Sequence, residues 1–407
     1  MLLLPKKRLR NGLLTLGVAV IIIVLVNLVL EEPMLSGYTK RQLNNHSSTV
    51  SPDFVCTITD NDTVYSVTGD YAACVSEWLF TVDARTGSGR QHPDPRPMTE
   101  AYQTSRIIPR CYSPPHMANT SITGACFKVS ERRIQGLGLA LTDYHTVNPD
   151  NVDKFVFVTG ISANHFTESL DAIASVQKFM SRHEIIVYDL GLTQEQVEEM
   201  ITYCRVSVIQ FRSKDRFLYP THVQKLSTFA FKPLIIMEAL KSHPAIVWID
   251  SSARLHQSLD RYYSRIVSSG GIYLFTPPPK HSVVHNTHPS LYEYFPTNIR
   301  QLRHTRILMP DGYYSRTESL FWHVLWWWSM CALTEDCICP CRLKPCSSFT
   351  SENVLDYIGC HRYDMSVINI LLANYHGYDS SIYGNRREIK VFEKLRKNTT
   401  FYEVKVC

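Results

Sequence analysis

The chain has 407 residues and a formal charge of +5, with 44% hydrophobic, 11% aromatic and 19% charged residues. This apolar content is enough for a large core, and it excludes a wholly disordered, collagen-like or coiled-coil chain. Four basic residues, Lys6, Lys7, Arg8 and Arg10, lie near the N-terminus, and the rest of the chain is nearly neutral. Because no basic stripe follows, we expect no nucleic-acid partner.

An apolar run at residues 12–30 predicts a membrane-spanning helix, since about 20 apolar residues cross a bilayer. The basic residues before it favour a cytosolic N-terminus. We therefore predict a cytosolic tail at 1–11, a signal anchor at 12–30 and a type II protein of the Golgi or ER membrane with a lumenal C-terminal domain. The alternative is a cleaved signal peptide, whose apolar core is shorter, about 7–15 residues, and ends at a small-residue cleavage site.

The polar stretch at 31–52 reads as a stem between membrane and folded domain. All 12 cysteines follow the anchor, as an oxidising lumen allows. Four N-x-Ser/Thr sequons, at Asn45, Asn61, Asn119 and Asn398, are predicted glycosylation sites. Together these features favour a protein of the secretory pathway.

Residues 53–150 predict a small β-rich region with strands at 54–57 and 63–68. Cysteines 56, 74, 111 and 126 allow two disulfides in any of three pairings. The sequence does not decide between these pairings.

From residue 151 to 385, apolar strands alternate with amphipathic helices. The predicted strands are 155–159, 184–189, 206–211, 245–250 and 271–276, and the predicted helices are 166–180, 194–203, 226–241 and 255–267. This alternation predicts an α/β domain with a mostly parallel sheet between helices. Residues 386–407 remain as a C-terminal tail. Ligands of such sheets bind beyond the carboxyl ends of the strands, near a switch in strand order.

Asp250 is the strongest candidate at that edge, because it ends a buried strand and small Ser251 and Ser252 follow it. A carboxylate there can hold a divalent cation that bridges a diphosphate. The alternative is an Asp that only turns the chain. Asp189 ends the neighbouring predicted strand and belongs to the same edge.

The loop after the first strand carries Thr159, Ser162, Asn164 and His165, and its position suits a nucleotide base and ribose. An ordinary strand-to-helix connection favours the same residue types. No glycine-rich dinucleotide motif and no P-loop is present. Lys232 and Arg254 are candidate diphosphate contacts, although such residues are often solvated surface charges. 

A second candidate segment is His361–Asn369. On a helix, His361 and Asp364 share a face. A carboxylate such as Asp364 at a helix start can act as a general base, and the alternative is a helix-start Asp that stabilises the dipole. His376 follows the helix as a candidate metal ligand, although a lone His is more often structural.

The segment around Asp250 resembles the metal-binding Asp-x-Asp segment of GT-A glycosyltransferases. The run from Val156 to Asn374 also resembles an uncharacterised family of invertebrate type II membrane proteins, found in nematodes and flatworms and glycosyltransferase-like. That match is carried by segments 158–166, 186–191, 231–236, 247–252 and 361–366.

The resemblance implies a GT-A-like fold and transfer of a sugar from a nucleotide-sugar donor to a glycan, protein or lipid acceptor. It implies Asp250 and Asp364 as catalytic residues, with Asp364 in contact with the donor sugar or orienting the acceptor hydroxyl. It also implies Mn²⁺ or Mg²⁺ held by Asp250 and His376. Ser252 departs from the pattern, because a hydroxyl is a poorer ligand for a hard cation than a carboxylate. The alternative is a non-catalytic lumenal or cell-surface protein that retains the fold.

The predicted insert 331–360 is rich in cysteine and follows a cluster of tryptophans. An oxidising lumen favours disulfides over a zinc site for these cysteines. The Trp cluster is expected to pack in the core, with a sugar-binding platform as the alternative.

Overall fold

The computed structural model describes the backbone of residues 54–60 and 63–69, and residues 110–115, 122–139, 143–212, 215, 217–275, 281–340, 346, 354–384, 391–394 and 403–407. The predicted tail, anchor and stem at 1–52 lie outside the described residues, as do Asn45, Asn61, Asn119 and Asn398. They stay predictions. Within the described part of the chain, no helix is long and apolar enough to span a bilayer.

The strands belong to one central sheet and three small antiparallel pairs. They are β1 (Phe54–Asp60), β2 (Thr63–Gly69), β3 (Arg110–Cys111), β4 (Cys126–Phe127), β5 (Val156–Ile161), β6 (Ile185–Asp189), β7 (Val206–Gln210), β8 (Ala245–Trp248), β9 (Ala253–Leu255), β10 (Ile272–Leu274), β11 (Gly312–Ser315) and β12 (Phe392–Lys394).

The helices cover both faces of that sheet. They are α1 (Glu131–Gly136), α2 (Phe166–Phe179), α3 (Gln194–Met200), α4 (Phe231–Ser242), α5 (Tyr263–Ser268), α6 (Leu291–Tyr294), α7 (Ile299–Leu302), α8 (Glu318–Leu320), α9 (Trp326–Ala332), α10 (Glu335–Ile338), α11 (Tyr363–Tyr375) and α12 (Ser380–Tyr383). A π-helical segment, Phe321–Leu325, joins α8 to α9.

The central sheet has six strands in the order β10-β11-β8-β5-β6-β7. Strands β8, β5, β6 and β7 are parallel, and β11 is antiparallel to both of its neighbours. The predicted α/β class with a mostly parallel sheet is therefore confirmed. The chain runs outward from β5 to β7 and then returns to β8 on the other side of β5. This return creates a switch in strand order between β5 and β8.

Successive side chains of each strand point to opposite faces of the sheet and belong to two hydrophobic clusters, one on each face. Val158 and Trp248 lie in the cluster that also contains residues of α4, α9 and α11. Phe157 and Val247 lie in the cluster that also contains residues of α2 and β9. The near-continuous apolar strands of the sequence thus reflect a sheet buried on both faces.

The predicted small region at 53–150 is partly joined to this domain. Tyr112, Phe127 and Ile134 are buried in the same hydrophobic cluster as Trp248. The strands predicted at 54–57 and 63–68 are present as β1 and β2, and they pair antiparallel. Of the three possible pairings among the four cysteines, the described residues show Cys111–Cys126.

The predicted C-terminal tail at 386–407 also contributes to the fold. Strand β12 pairs with β9, and Cys204 and Cys407 form a disulfide. The helix predicted from residue 255 is therefore wrong at its start, because Leu255 belongs to β9 and is paired with Phe392. Helix α5 begins only at Tyr263, after a 3-10 turn at Asp260–Tyr262.

The cysteine-rich insert contains the disulfides Cys331–Cys337 and Cys346–Cys360, which confirms disulfide chemistry rather than a zinc site for these four residues. Trp326 and Trp328 are buried as expected for core packing. The indole of Trp328 donates to the backbone oxygen of Asp364 and so ties α9 to α11.

Candidate functional site

A charged cluster lies at the switch in strand order. Val158 of β5 pairs with Trp248 of β8, and Asp250 follows β8 at the carboxyl edge of the sheet. Open α/β sheets bind ligands at this position. The predicted location of Asp250 is therefore the location that the fold provides.

Lys232 is the centre of the cluster. Its Nζ lies 2.9 Å from Oδ1 of Asp250 and 3.3 Å from Oδ2 of Asp364, and the Lys232 and Asp364 side chains are each 5% exposed. The residue sits in the first turn of α4, where Pro233 is tolerated because its missing N–H has no helical partner to lose. Helix α4 packs against β8 and carries the ammonium to the end of that strand.

Two further groups fix the Asp250 loop. The indole Nε1 of Trp248 donates to Oδ1 of Asp250 over 2.9 Å, and the backbone N–H of Asp250 donates to Oδ1 of Asp311 over 2.8 Å. Asp311 is fully buried and directly precedes β11, whose Gly312 pairs with Trp248. The cluster thus sets three carboxyl groups against one ammonium.

Burial and charge act against each other in this cluster. Burial disfavours the charged form of Lys232, but the carboxylates of Asp250, Asp364 and Asp311 outweigh it and raise the pKa of the ammonium. Burial raises the pKa of Asp364, and the Lys232 charge opposes that rise. Lys232 therefore stays protonated at neutral pH, and the ionisation of Asp364 depends on it.

Asp250 is the accessible carboxylate of the cluster, with 20% of its side chain exposed. Asp364 is buried behind the ammonium. Its Oδ2 accepts no hydrogen bond among the residues that the structure describes, and the 3.3 Å approach of Lys232 is an ion pair without hydrogen-bond geometry. A ligand at the strand ends therefore meets Asp250 first.

An aromatic pair borders the cluster. The rings of Phe229 and Tyr363 lie 5.8 Å apart, and Nζ of Lys232 lies 5.7 Å from the centre of the Phe229 ring. Both residues have left-handed backbones, with φ of +54° at Phe229 and +46° at Tyr363. Such conformations are costly for bulky residues and concentrate at functional sites.

The loop after β5 reaches the Asp250 loop through Glu168. Its carboxylate lies 2.6 Å from Nδ1 of His165 and accepts a hydrogen bond from Oγ of Ser251 over 3.3 Å. Ser162 donates to Asn164, and the latter is exposed together with His165. The structure therefore links the predicted donor-site residues His165 and Ser251 through Glu168.

Two other candidates have structural partners, and a third is buried in the sheet. Asp189 accepts the backbone N–H groups of Gly191 and Leu192, as a turn-forming Asp does. Arg254 is 1% exposed and donates to Oδ2 of Asp171 from Nε and Nη2. Thr159 is buried on the face of β5 that carries Phe157, opposite the face of Trp248, and its Oγ1 has no hydrogen-bond partner among the described residues. The Arg254 guanidinium is committed to a buried ion pair, so we no longer assign it to a diphosphate.

His361 is also committed to the protein interior. It is 3% exposed, and its Nδ1 accepts the backbone N–H of His288 over 3.2 Å. Burial, helped by the nearby His288, lowers the pKa of His361 to about 3. The ring is therefore neutral across the physiological range.

The predicted metal ligands do not come together. Asp250 shares the Lys232 ammonium with Asp364, which lies in the first turn of α11. His376 follows the last residue of that helix and stacks on Tyr383. At 1.5 Å per residue Asp364 and His376 are about 18 Å apart along the helix, so His376 is also remote from Asp250. In the described part of the chain, no group of three or more His, Cys, Asp or Glu side chains is arranged to hold a metal ion.

The residues at Asp250 do not fit a resident divalent cation either. Oδ1 of Asp250 already accepts from Trp248 and from the Lys232 ammonium. The backbone oxygen of Ser252 accepts from Nη1 of Arg254. Mg²⁺ and Mn²⁺ sites need several oxygen ligands, and the protein offers one partly exposed carboxylate beside a positive charge.

The sequence analysis missed Asp311, Glu168, Phe229 and Tyr363. Asp311 lies in a Pro-Asp-Gly turn before a short strand, and this turn was the available signal. Glu168 and the two aromatic residues give no local signal, since their contacts come from elements distant in the sequence.

A family model described as "Protein of unknown function (DUF1647)" matches residues 100–237. No curated protein matches the sequence. Among solved structures, the galactosyltransferase LgtC in complex with donor and acceptor sugar analogues is 12% identical, with a TM-score of 0.33 over 54% of this chain and 70% of that one. Mouse xyloside xylosyltransferase 1 is 10% identical, with a TM-score of 0.33 over 57% of this chain and 84% of that one.

The glycosyltransferase GlyE of Streptococcus pneumoniae is 14% identical, with a TM-score of 0.23 over 30% of this chain and 29% of that one. These scores all lie below 0.5, so the likenesses by themselves define neither the fold nor the activity of this chain. The strand order of the sheet and the contacts of the charged cluster are observed directly in this structure and do not depend on these likenesses.

Proposed function

We propose that the chain is a glycosyltransferase-like enzyme that transfers a sugar from a nucleotide-sugar donor to a glycan, protein or lipid acceptor. The observation that carries the proposal is the convergence of Asp250 and Asp364 on one buried ammonium at the switch in strand order. We place the domain in the lumen of the Golgi or ER, anchored by residues 12–30. This placement rests on the sequence alone.

In the proposed reaction an acceptor hydroxyl attacks the anomeric carbon of the donor sugar. The new C–O bond forms as the bond to the diphosphate breaks, and the nucleoside diphosphate leaves with the electron pair. The hydroxyl proton passes to the Asp250 carboxylate or to the leaving phosphate. Asp250 takes this role because its side chain is the partly exposed one.

Asp364 acts as a positioning residue in this proposal. It is buried behind Lys232 and holds the ammonium from the side opposite the ligand. Lys232 in turn fixes Oδ1 of Asp250 through its ammonium, 2.9 Å away. The proposed order of contact is therefore ligand, Asp250, Lys232 and Asp364.

The nucleotide end of the donor has a candidate place at the loop after β5. Asn164 and His165 are exposed there, and Glu168 links His165 to Ser251. The Glu168 carboxylate thus connects the loop after β5 to the loop that carries Asp250 and Ser251. A ligand that spans both loops would place its sugar near Asp250.

A second candidate function is a non-catalytic protein that keeps this architecture. It is favoured by the full engagement of Asp250 Oδ1 by Trp248 and Lys232 and by the serine at position 252. A purely structural cluster needs no ligand to satisfy these groups.

Thermal unfolding in the presence of nucleoside diphosphates separates the two functions, since a ligand that binds only the native state raises Tm. We expect uridine or guanosine diphosphate to raise the Tm of the wild type, and Asp250→Asn to reduce the shift. Asp150→Asn, at an exposed turn position, is the matched control. No shift with any nucleoside diphosphate, with or without Mn²⁺, would favour the non-catalytic protein.

A further inference from the structure

The aromatic pair beside the charged cluster remains open to solvent. Phe229 is 40% exposed, although Thr228 and Ala230 on either side of it are buried. The Phe229 ring lies 5.8 Å from the Tyr363 ring and 5.7 Å from Nζ of Lys232, which itself lies 2.9 Å from Oδ1 of Asp250. An exposed aromatic face and a partly exposed carboxylate thus border the same ammonium.

We propose that Phe229, Tyr363 and Asp250 together bind the ring of a neutral pyranose sugar. The apolar C–H face of a pyranose packs on an aromatic ring, which offers a large rigid surface. The hydroxyl groups at the sugar edge donate to a carboxylate in charge-assisted hydrogen bonds. The site provides both kinds of group side by side.

The charge of the cluster selects a neutral ligand. Three carboxyl groups, those of Asp250, Asp311 and Asp364, face one Lys232 ammonium. A phosphate group placed directly against the partly exposed Asp250 carboxylate would be repelled by it. A purely apolar ligand would cover Asp250 without donating to it, and a buried acceptor without a donor is costly. A polyhydroxyl ring avoids both penalties.

The buried end of the cluster supports the same assignment. Asp364 is 4% exposed, and its Oδ2 accepts no hydrogen bond in the described part of the chain. It follows Tyr363 directly, so the same helix start presents the bordering ring and the buried carboxylate that contacts Lys232.

This inference deepens the proposed function, since it gives the transferred or accepting sugar a place apart from the nucleotide. It does not require transfer to occur. A chain that binds free sugars but no nucleoside diphosphate would keep the inference and lose the transferase proposal. The reverse result would keep the transferase proposal and overturn the inference.

The test is saturation-transfer NMR on the full-length chain in a detergent without a sugar headgroup. The probes are the methyl β-glycosides of glucose, galactose and xylose at millimolar concentration, with inorganic phosphate as the anionic competitor. We expect transfer to the ring protons of at least one glycoside and no displacement by phosphate. Competition by a nucleotide sugar, but not by the nucleoside diphosphate alone, would assign the ring to the donor. If neither the nucleotide sugar nor the nucleoside diphosphate competes, the bound ring is assigned to the acceptor.

Phe229→Gly is the decisive variant, because glycine accepts the positive φ at this position and only the ring is lost. We expect at least a tenfold weaker saturation transfer with a cooperative thermal unfolding transition retained, and we expect saturation transfer to persist in Phe229→Trp. Phe217→Ala is the matched control, since Phe217 is 66% exposed and stacks on Arg132 instead. Undiminished transfer in Phe229→Gly, or no transfer to any of the glycosides, overturns the inference.

Discussion

Replacement of Lys232 by methionine tests the electrostatic centre of the site. Met has a similar length and no charge, so the packing of α4 against β8 changes little while the ammonium is lost. At about 3 Å and an effective dielectric constant of about 20, each contact to Asp250 and Asp364 amounts to roughly 5 kcal/mol of attraction. Much of this attraction is offset by the cost of burying the charges.

The variant leaves Asp364 buried without its cation, since that side chain is 5% exposed. Loss of one partner from a buried ion pair costs about 3–5 kcal/mol. We therefore expect Lys232→Met to lower the free energy of unfolding by about that amount at pH 7. The double variant Lys232→Met/Asp364→Asn should recover part of the loss, because one stranded carboxylate becomes neutral.

Urea unfolding followed by tryptophan fluorescence measures these differences, with the disulfides kept intact. Lys225→Met is the matched control, because Lys225 is an exposed lysine a few residues earlier, and such a change should stay within about 0.5 kcal/mol. If Lys232→Met is as mild as Lys225→Met, the ammonium does not compensate the carboxylates. The same conclusion follows if Lys232→Met/Asp364→Asn recovers none of the lost free energy of unfolding.

Two further predictions concern protons and metal ions. Burial holds the pKa of His361 at about 3, below the usual 6.5, so the unfolded chain binds more protons between these pH values and stability falls as pH falls through this window. Between pH 7 and pH 4.5, we expect the free energy of unfolding of the wild type to fall by about 2–3 kcal/mol more than that of His361→Asn, as measured by urea titrations. An equal fall in both proteins would refute the lowered pKa of His361. Because one carboxylate beside an ammonium is a poor cation site, we expect the chain without nucleotide to bind Mn²⁺ no more tightly than about 1 mM in electron paramagnetic resonance titrations. A tighter site that Asp250→Asn removes would contradict this expectation.

The sheet was predictable because its strands are apolar on both faces and therefore stand out in the sequence. The segment before Asp250 is an example, since Ala245–Trp248 is wholly buried and ends at the carboxyl edge as expected. Strand β11 was missed, although it lies between β8 and β10. Its four residues are too few to show a period, and its pairing depends on partners distant in the sequence.

The candidate site was predictable only in part. Asp250, Asp364 and Lys232 each stood out by their position at the end or start of an element, and the structure joins them. Arg254 had the same signals but pairs with Asp171, a residue of α2 that no local pattern connects to it. Sequence position identifies a charged residue near an edge, whereas the partner is decided by how the helices pack.

The most direct measurement of the central claim is hydrolysis of nucleotide sugars by the purified chain. Water can replace the acceptor in the proposed reaction, so a panel of uridine and guanosine diphosphate sugars should yield one donor that is slowly cleaved to nucleoside diphosphate and free sugar. We predict that Asp250→Asn lowers this rate by at least about 100-fold, as expected for loss of a group that assists proton transfer, while Asp150→Asn leaves it unchanged. Equal rates in the wild type and Asp250→Asn, or cleavage of no donor, would contradict the account.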